Sequence, residues 1–221
     1  MRLFEHLTVY HDDGLRSAAL NMAVDEALLE SIARPTLRFY GWRRPALSFG
    51  YFGRYVDVAP HESEREIVRR WTGGGTVHHG ADRTYALIIP AQEPVFSRPA
   101  SELYFALHEV IQNVLKVDGV APTLAHSNSA NDSHECFAKS VRGDVLIEGR
   151  KVAGAAQRRT RVGVLQQGSI QLEALPDRFA NQLAHALGNS IRVDTLPDEI
   201  IQRAQAIADQ KYGTNEWLRR R

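Results

Sequence analysis

The chain has 221 residues, 43% hydrophobic and 24% charged, with a formal net charge of +1 and a single cysteine. That length allows one domain with a sizeable core. The near-neutral charge supplies no field to gather nucleic acid or an anionic membrane, and one cysteine excludes an internal disulfide. The first residues lack the apolar core of a signal peptide, and no apolar run is long enough to span a bilayer. A cytoplasmic protein is therefore expected, with neither nucleic acid nor membrane as partner.

In chain order, residues 15–32 are expected to form a helix, since Leu15, Ala18, Ala19, Met22, Leu29 and Ile32 recur at helical spacing and Pro35 follows. Residues 36–42 and 46–52 are expected as aromatic-rich strands joined by the turn 43–45. A short strand over 67–71 runs into Thr72-Gly-Gly-Gly75, and 84–90 is a further apolar strand. Residues 102–117 read as a helix, with Leu103, Leu107, Val110, Ile111 and Val114 on one side. Residues 125–140 are polar and irregular, the best candidate for a mobile loop. Strands follow over 145–147, 151–159 and 164–172. From about 176 to 221 the chain reads as a helical segment, through 179–187 and 198–211. The pattern is α+β (α/β in the broad sense), a mixed central sheet flanked by helices in one domain, 1–221.

Three features point to chemistry. Gly73, Gly74 and Gly75 follow a strand, and three glycines cost a regular element roughly 1 kcal/mol each against alanine. What they offer is bare backbone, whose N–H groups can wrap a carbonyl, carboxylate or phosphate oxygen. The spacing is neither a dinucleotide fingerprint nor a P-loop. A strand alternates its faces, so at most one of Arg69 and Arg70 can point with the loop; Arg70 is favoured. Lys151 is followed by Ala153, Gly154, Ala155 and Ala156, small residues that leave a groove in which its ammonium could meet a polarised acyl oxygen or a phosphate. The bland alternative is an edge lysine with its head in water. Cys136 lies fifteen residues before Lys151 in a polar setting that is no core. A free thiol has a pKa of about 8.5, which a neighbouring cation lowers, so Cys136 near Lys151 or His134 would be a competent nucleophile. His78, His79, His126 and His134 match no zinc spacing, so no metal is expected; His79 is read as helping to place an acyl group.

Taken together and in order, these segments resemble the lipoate-protein ligases and octanoyltransferases, with biotin ligases as more distant kin. The resemblance is carried by Leu20-Asn-Met-Ala-Val-Asp-Glu-Ala-Leu-Leu29, Tyr40-Gly-Trp42, Pro45-Ala-Leu-Ser-Phe-Gly-Tyr51, Arg69-Arg-Trp-Thr-Gly-Gly-Gly-Thr-Val-His-His79, Gly149-Arg-Lys-Val-Ala-Gly-Ala-Ala-Gln157 and Leu165-Gln-Gln-Gly-Ser-Ile170. It implies the biotin/lipoyl protein ligase-like catalytic fold, an acyl tunnel under the glycine loop, and Lys151 at its polar end. It implies Cys136 and Lys151 as catalytic residues, and Arg70, Gly73, Gly74, Gly75, Thr76, Val77, His78, His79, Gly154, Ala155 and Gly168 as substrate-binding residues. Cys136-Phe137 before Lys151 resembles the cysteine-dependent octanoyltransferases, whereas the triple glycine and Gly143-Asp144-Val145 resemble the ligases. The loop continues to Gly80 where the family usually has Asp, and Gln166-Gln167 stand where a histidine is common.

The resemblance thus implies an acyltransferase that attaches an octanoyl or lipoyl group to a lysine of lipoyl carrier domains through a Cys136 thioester, without cofactor. The acceptor would be an apo lipoyl domain (a glycine-cleavage carrier or a dehydrogenase E2), with acyl carrier protein as donor. One alternative is an ATP- and Mg2+-dependent lipoate ligase acting through a lipoyl-adenylate; another is a non-catalytic protein that binds acyl ligands.

Overall fold

The computed structural model describes residues 2–31, 33–117, 121–128, 140–172 and 175–220. Eleven strands and five α-helices are arranged among them as follows. Strands β1 (Phe4–Arg16), β2 (Thr36–Trp42), β6 (Arg83–Pro90), β7 (Pro122–Leu124), β8 (Val145–Ile147), β9 (Arg150–Arg159), β10 (Gly163–Ile170) and β11 (Gly188–Asp194) form one mixed sheet, ordered β11-β1-β2-β6-β10-β9-β8-β7. Only the β11-β1-β2 edge is parallel; the other pairings are antiparallel. A smaller sheet, β4-β3-β5, is built from β3 (Ala46–Phe49), β4 (Glu66–Arg69) and β5 (Val77–His79).

Strand alternation divides the core into two layers. Leu37, Phe39, Tyr85, Leu87 and Ile89 point to one face of the large sheet, where α2 (Ala100–Val117) and α3 (Phe179–Leu187) cover them with Leu103, Leu107, Phe179 and Leu183. Tyr40, Trp42, Ala86, Ile88 and Leu165 point to the other face, under α1 (Ala18–Ser31) and α4 (Asp198–Ile207). At about 25 cal/mol per Å2 of apolar surface, each fully buried large side chain stabilises by about 1.5–3 kcal/mol. The small sheet packs Ala46 and Val68 into the second layer, so its loops lie over the middle of the large sheet.

The expected α+β pattern is the observed one, with corrections. Residues 4–16 form a strand, and the helix begins at Ala18, not Leu15, which is 62% exposed. Phe4, Leu7 and Val9 are buried in the core layer under α2 and α3, but their 4-7-9 spacing and the following His11, Asp12 and Asp13 show no strand alternation. The segment from 176 is not wholly helical. Residues 188–194 are an edge strand parallel to β1, with most side chains exposed or half-buried and so no hydrophobic pattern to read. The strand expected to reach 52 ends at Phe49. The three-residue strands β5 and β7 owe their extended form to partners distant in sequence. A π-helical turn, Ala208–Tyr212, and the short α5 (Asn215–Arg219) finish the chain.

Candidate active site

The glycine loop joins β4 to β5, the two strands that flank β3. Alternation where β4 runs out sends Arg69, its last residue, and the following Arg70 apart. Arg69 is buried and donates to the carbonyls of Tyr51, Gly53, Trp217, Leu218 and Arg220, tying down the C-terminal segment. Arg70 turns into the loop. Its Nη2 donates to the carbonyls of Gly73 (3.0 Å) and Gly75 (2.8 Å), and its Nη1 to Ser48 Oγ (2.7 Å). Gly74 has φ of 83°, a conformation that strains any residue with a Cβ. The loop rests directly on Gly50, where a Cβ would lie 2.0 Å from the Gly74 carbonyl oxygen. Thr72 Oγ1 donates to Gln167 Oε1 at 2.8 Å, which ties the loop to β10.

Lys151 is the second residue of β9 and is buried. Its Nζ lies 2.7 Å from Asp144 Oδ2. Asp144, wholly buried, also accepts from the Val141 N–H (2.7 Å) and from the Tyr104 hydroxyl. Tyr104 Oη in turn accepts from the Ala155 N–H at 3.2 Å, linking α2 to β9. Burial first, then the Asp144 carboxylate, holds the Tyr104 hydroxyl well above the ordinary phenol range, so it stays a donor. The small residue at 154 has a definite purpose. A Cβ there would lie 2.3 Å from Lys151 Cε and 2.7 Å from Nζ, so Gly154 is the seat of the lysine side chain itself. One turn along α2, His108 is fully buried, and neither ring nitrogen finds a partner among the described residues. Burial and the Lys151 charge push it down to about 3, so its ring is neutral.

Between loop and sheet runs a cavity with Met22, Tyr40, Trp42, Val77, Ala155 and Ala156 on its apolar walls and Ser48, Arg70, His79, Gln167 and Ser169 as polar points. Gly154 and Gly168 also line it. Gly168 makes room for the Tyr85 ring opposite, which a Cβ would meet at 2.2 Å. A second, more polar chamber is lined by Arg65, His78, Asp82, Arg150 and Lys151; His79 borders both. Beneath the first cavity a buried charge network holds the floor. Arg38 bridges Asp25 (2.6 Å) and Asp12 (2.6 Å), and Gln167 Nε2 donates to Asp25 Oδ2 at 2.7 Å.

The expected residues therefore divide. Arg70, Val77, His79, Gly154, Ala155 and Gly168 meet at the first cavity, and Lys151 and His78 at the second. Gly74, Gly75 and Thr76 face a surface pocket beside Phe49, Phe52 and Val58, while Gly74 abuts Ala156 from above. Gly73 contributes its carbonyl to Arg70. His126 is exposed. Cys136 and His134 lie outside the described residues. Sequence reasoning passed over Ser48, Asp82, Tyr104 and His108, which carry no local signature. Gly80 brings no carboxylate, but two positions on, Asp82 places Oδ2 2.8 Å from His79 Nδ1. Gln167, at a position where a histidine is common, serves Asp25 and Thr72. Among the described residues no group of three His, Cys, Asp or Glu side chains could hold a metal ion, and no helix is long and apolar enough to cross a membrane.

A family described as the lipoyl protein ligase A/B catalytic domain matches residues 17–210. The chain is 36% identical over 184 residues to octanoyltransferase LipM of Halalkalibacterium halodurans, covering 76% of this chain and 67% of that one. It is 36% identical over 166 residues to LipM of Oceanobacillus iheyensis, covering 71% and 61%. To LipM of Bacillus subtilis it is 35% identical over 184 residues, covering 76% and 66%. The chain thus spans about two thirds of the length of these relatives. A lipoate-protein ligase A bound with ATP superposes with a TM-score of 0.78 at 19% identity, covering 99% of this chain and 98% of that one. The bipartite lipoate protein ligase of Thermoplasma acidophilum, studied with its E2 lipoyl domain, superposes with a TM-score of 0.69 at 19% identity, covering 98% and 96%. At that identity the likeness is one of fold.

Proposed function

Because the chain belongs to the lipoyl protein ligase A/B catalytic domain family, we propose that it is an acyltransferase which moves an octanoyl or lipoyl group onto a lysine of an apo lipoyl domain, in a reducing, cytoplasmic setting. The observation that carries this reading is the buried Lys151 ammonium, which lines the polar chamber and is seated on Gly154, itself part of the wall of the apolar cavity under the arginine-tethered glycine loop. The acyl tail takes the apolar walls. Lys151, with Arg70 and the backbone near them, supplies positive charge where an oxyanion develops; loss of one such donor costs about 10²–10³-fold in rate. Cys136, fifteen residues before Lys151, is the nucleophile. Its thiolate attacks the octanoyl thioester of acyl carrier protein, the carrier thiol leaves, and the lysine amine then displaces the enzyme sulfur to give an amide. No cofactor enters this route.

The ATP-dependent ligase reading has one observation in its favour. Arg65, Arg150 and Lys151 together line the polar chamber, and that charge suits a nucleotide phosphate as well as a carrier's phosphopantetheine. In the ligase reading Lys151 would bridge acyl and α-phosphate oxygens, and Cys136 would be incidental. Intact mass after incubation with octanoyl-carrier protein, without nucleotide, separates the two. The transferase gains an octanoyl mass that hydroxylamine removes and that Cys136→Ala lacks. Full lipoylation by Cys136→Ser from ATP and free lipoate would overturn the thioester route.

A further inference from the structure

Whichever leaving group the enzyme uses, its acceptor is a lysine that arrives as an ammonium and must lose a proton before its nitrogen can form the amide. The site contains an arrangement suited to taking that proton. His79 Nε2 lies 2.6 Å from Ser48 Oγ, and His79 Nδ1 lies 2.8 Å from Asp82 Oδ2. Asp82 Oδ2 also accepts from the hydroxyls of Ser169 (2.6 Å) and Thr84 (2.8 Å), and Oδ1 from the Gly80 N–H (3.1 Å). An ionised carboxylate only accepts, which assigns the proton of the neutral imidazole to Nδ1 and leaves the Nε2 lone pair facing Ser48. Trp42 stacks on the ring, centroids 4.1 Å apart and planes 22° apart, and fixes its plane. Arg70 Nη1 donates to Ser48 Oγ at 2.7 Å, so the serine hydroxyl turns its own proton towards His79 and keeps one lone pair for another donor.

A polar brace for the small sheet would account for Asp82, Thr84 and Ser169. It does not account for Ser48 and His79 at the cavity wall, nor for His79 bordering both the acyl cavity and the chamber that holds Lys151. We infer that Ser48, His79 and Asp82 form a proton relay that deprotonates the incoming lysine amine. An N–H proton of the ammonium passes to Ser48 Oγ while the serine proton passes to His79 Nε2, and the imidazolium releases it to solvent. The freed amine nitrogen then bonds to the acyl carbon, the bond from the acyl carbon to its leaving group breaks, and the second N–H proton goes to the departing group. Ser48 touches the amine, His79 stores the proton, and Asp82 is a positioning residue that fixes the tautomer. The inference rests on the acyl-transfer reading but not on which acyl-enzyme species precedes it.

Hydroxylamine tests this, because it reaches the acyl group already unprotonated at neutral pH and needs no base. Wild type, His79→Gln and Asp82→Asn are each given octanoyl-carrier protein, or lipoate with ATP, and then either an apo lipoyl domain or hydroxylamine. The relay requires the ratio of hydroxamate formation to lysine acylation to rise about 10²-fold or more in both variants, the scale of general-base catalysis. The nearly isosteric Asp82→Asn keeps the test valid should His79→Gln fold poorly. If both nucleophiles slow in parallel, or neither slows, the triad is only a brace and the relay is refuted. A wild-type protein that acylates no lipoyl domain under either regime refutes the acyl-transfer reading itself, and the relay with it.

Discussion

Lys151 and Asp144 form a buried ion pair: Nζ and Oδ2 are 2.7 Å apart, and their side chains are 3% and 0% exposed. Water does not screen such a pair, and neither charge was cheap to bury. Removing one partner is therefore far worse than removing both. Asp144→Asn leaves a buried ammonium without that carboxylate and is expected to cost about 3–5 kcal/mol. Lys151→Met combined with Asp144→Asn, whose amide oxygen can still accept from the Val141 N–H and the Tyr104 hydroxyl, is expected to regain most of that stability while acyl transfer stays absent. Urea denaturation of the single and double variants checks this; a double variant no more stable than Asp144→Asn would contradict it.

Gly154→Ala probes the seat of the lysine. The new Cβ would lie 2.3 Å from Lys151 Cε, so the side chain must leave its rotamer. Overpacking of this kind costs about 1–3 kcal/mol, and a displaced ammonium should lower kcat at least about tenfold, within the range for loss of an oxyanion donor. Unchanged kcat in a folded variant would show that the position of Lys151 over Gly154 is irrelevant to turnover.

Arg69 and Arg70 are adjacent in sequence but should fail differently. Arg70→Lys cannot span Ser48, Gly73 and Gly75 with one ammonium. It is expected to raise KM for the acyl donor and to speed hydrogen exchange of the loop amides. Arg69→Lys should instead loosen the C-terminal carbonyls, with a stability loss of at least about 1.5–3 kcal/mol, the worth of one charged hydrogen bond. Steady-state kinetics and thermal melts of the two variants distinguish the roles; identical profiles would dissolve the distinction.

His108 makes acid stability measurable. Its folded value near 3 lies below the ordinary 6.5. Between those values the unfolded chain binds a proton that the folded chain refuses. Its contribution is thus complete above about 6.5 and is lost as the pH falls towards 3. His108→Phe should flatten the fall of unfolding free energy across that window, by up to about 1.4 kcal/mol per pH unit, and with it the fall of Tm. It should also stabilise the protein at neutral pH by about 1–3 kcal/mol, since it removes two buried ring nitrogens that find no partner among the described residues. An unaltered pH–Tm curve would place His108 in contact with water.

Some of the site was legible because its signals are local. The divergence of Arg69 and Arg70 follows from the two-residue period of a strand. The glycine run and the small residues after Lys151 announce close approach wherever they fold. What those small residues admit was not legible: Gly154 seats a lysine three residues away in its own strand, and Gly168 seats Tyr85 from the neighbouring one. β1 and β11 were missed because a charged or edge strand displays no alternation; their partners alone hold them extended.

The residues by themselves determined the family, the α+β pattern, the glycine loop and the lysine strand, because each depends on neighbours within a few positions along the chain. Which groups meet was decided only by folding. Ser48 reaches His79 across 31 positions, and Tyr104 reaches Asp144 across 40. Such contacts arise from strand pairing and from helix packing on a shared sheet, and no spacing within a linear segment encodes them.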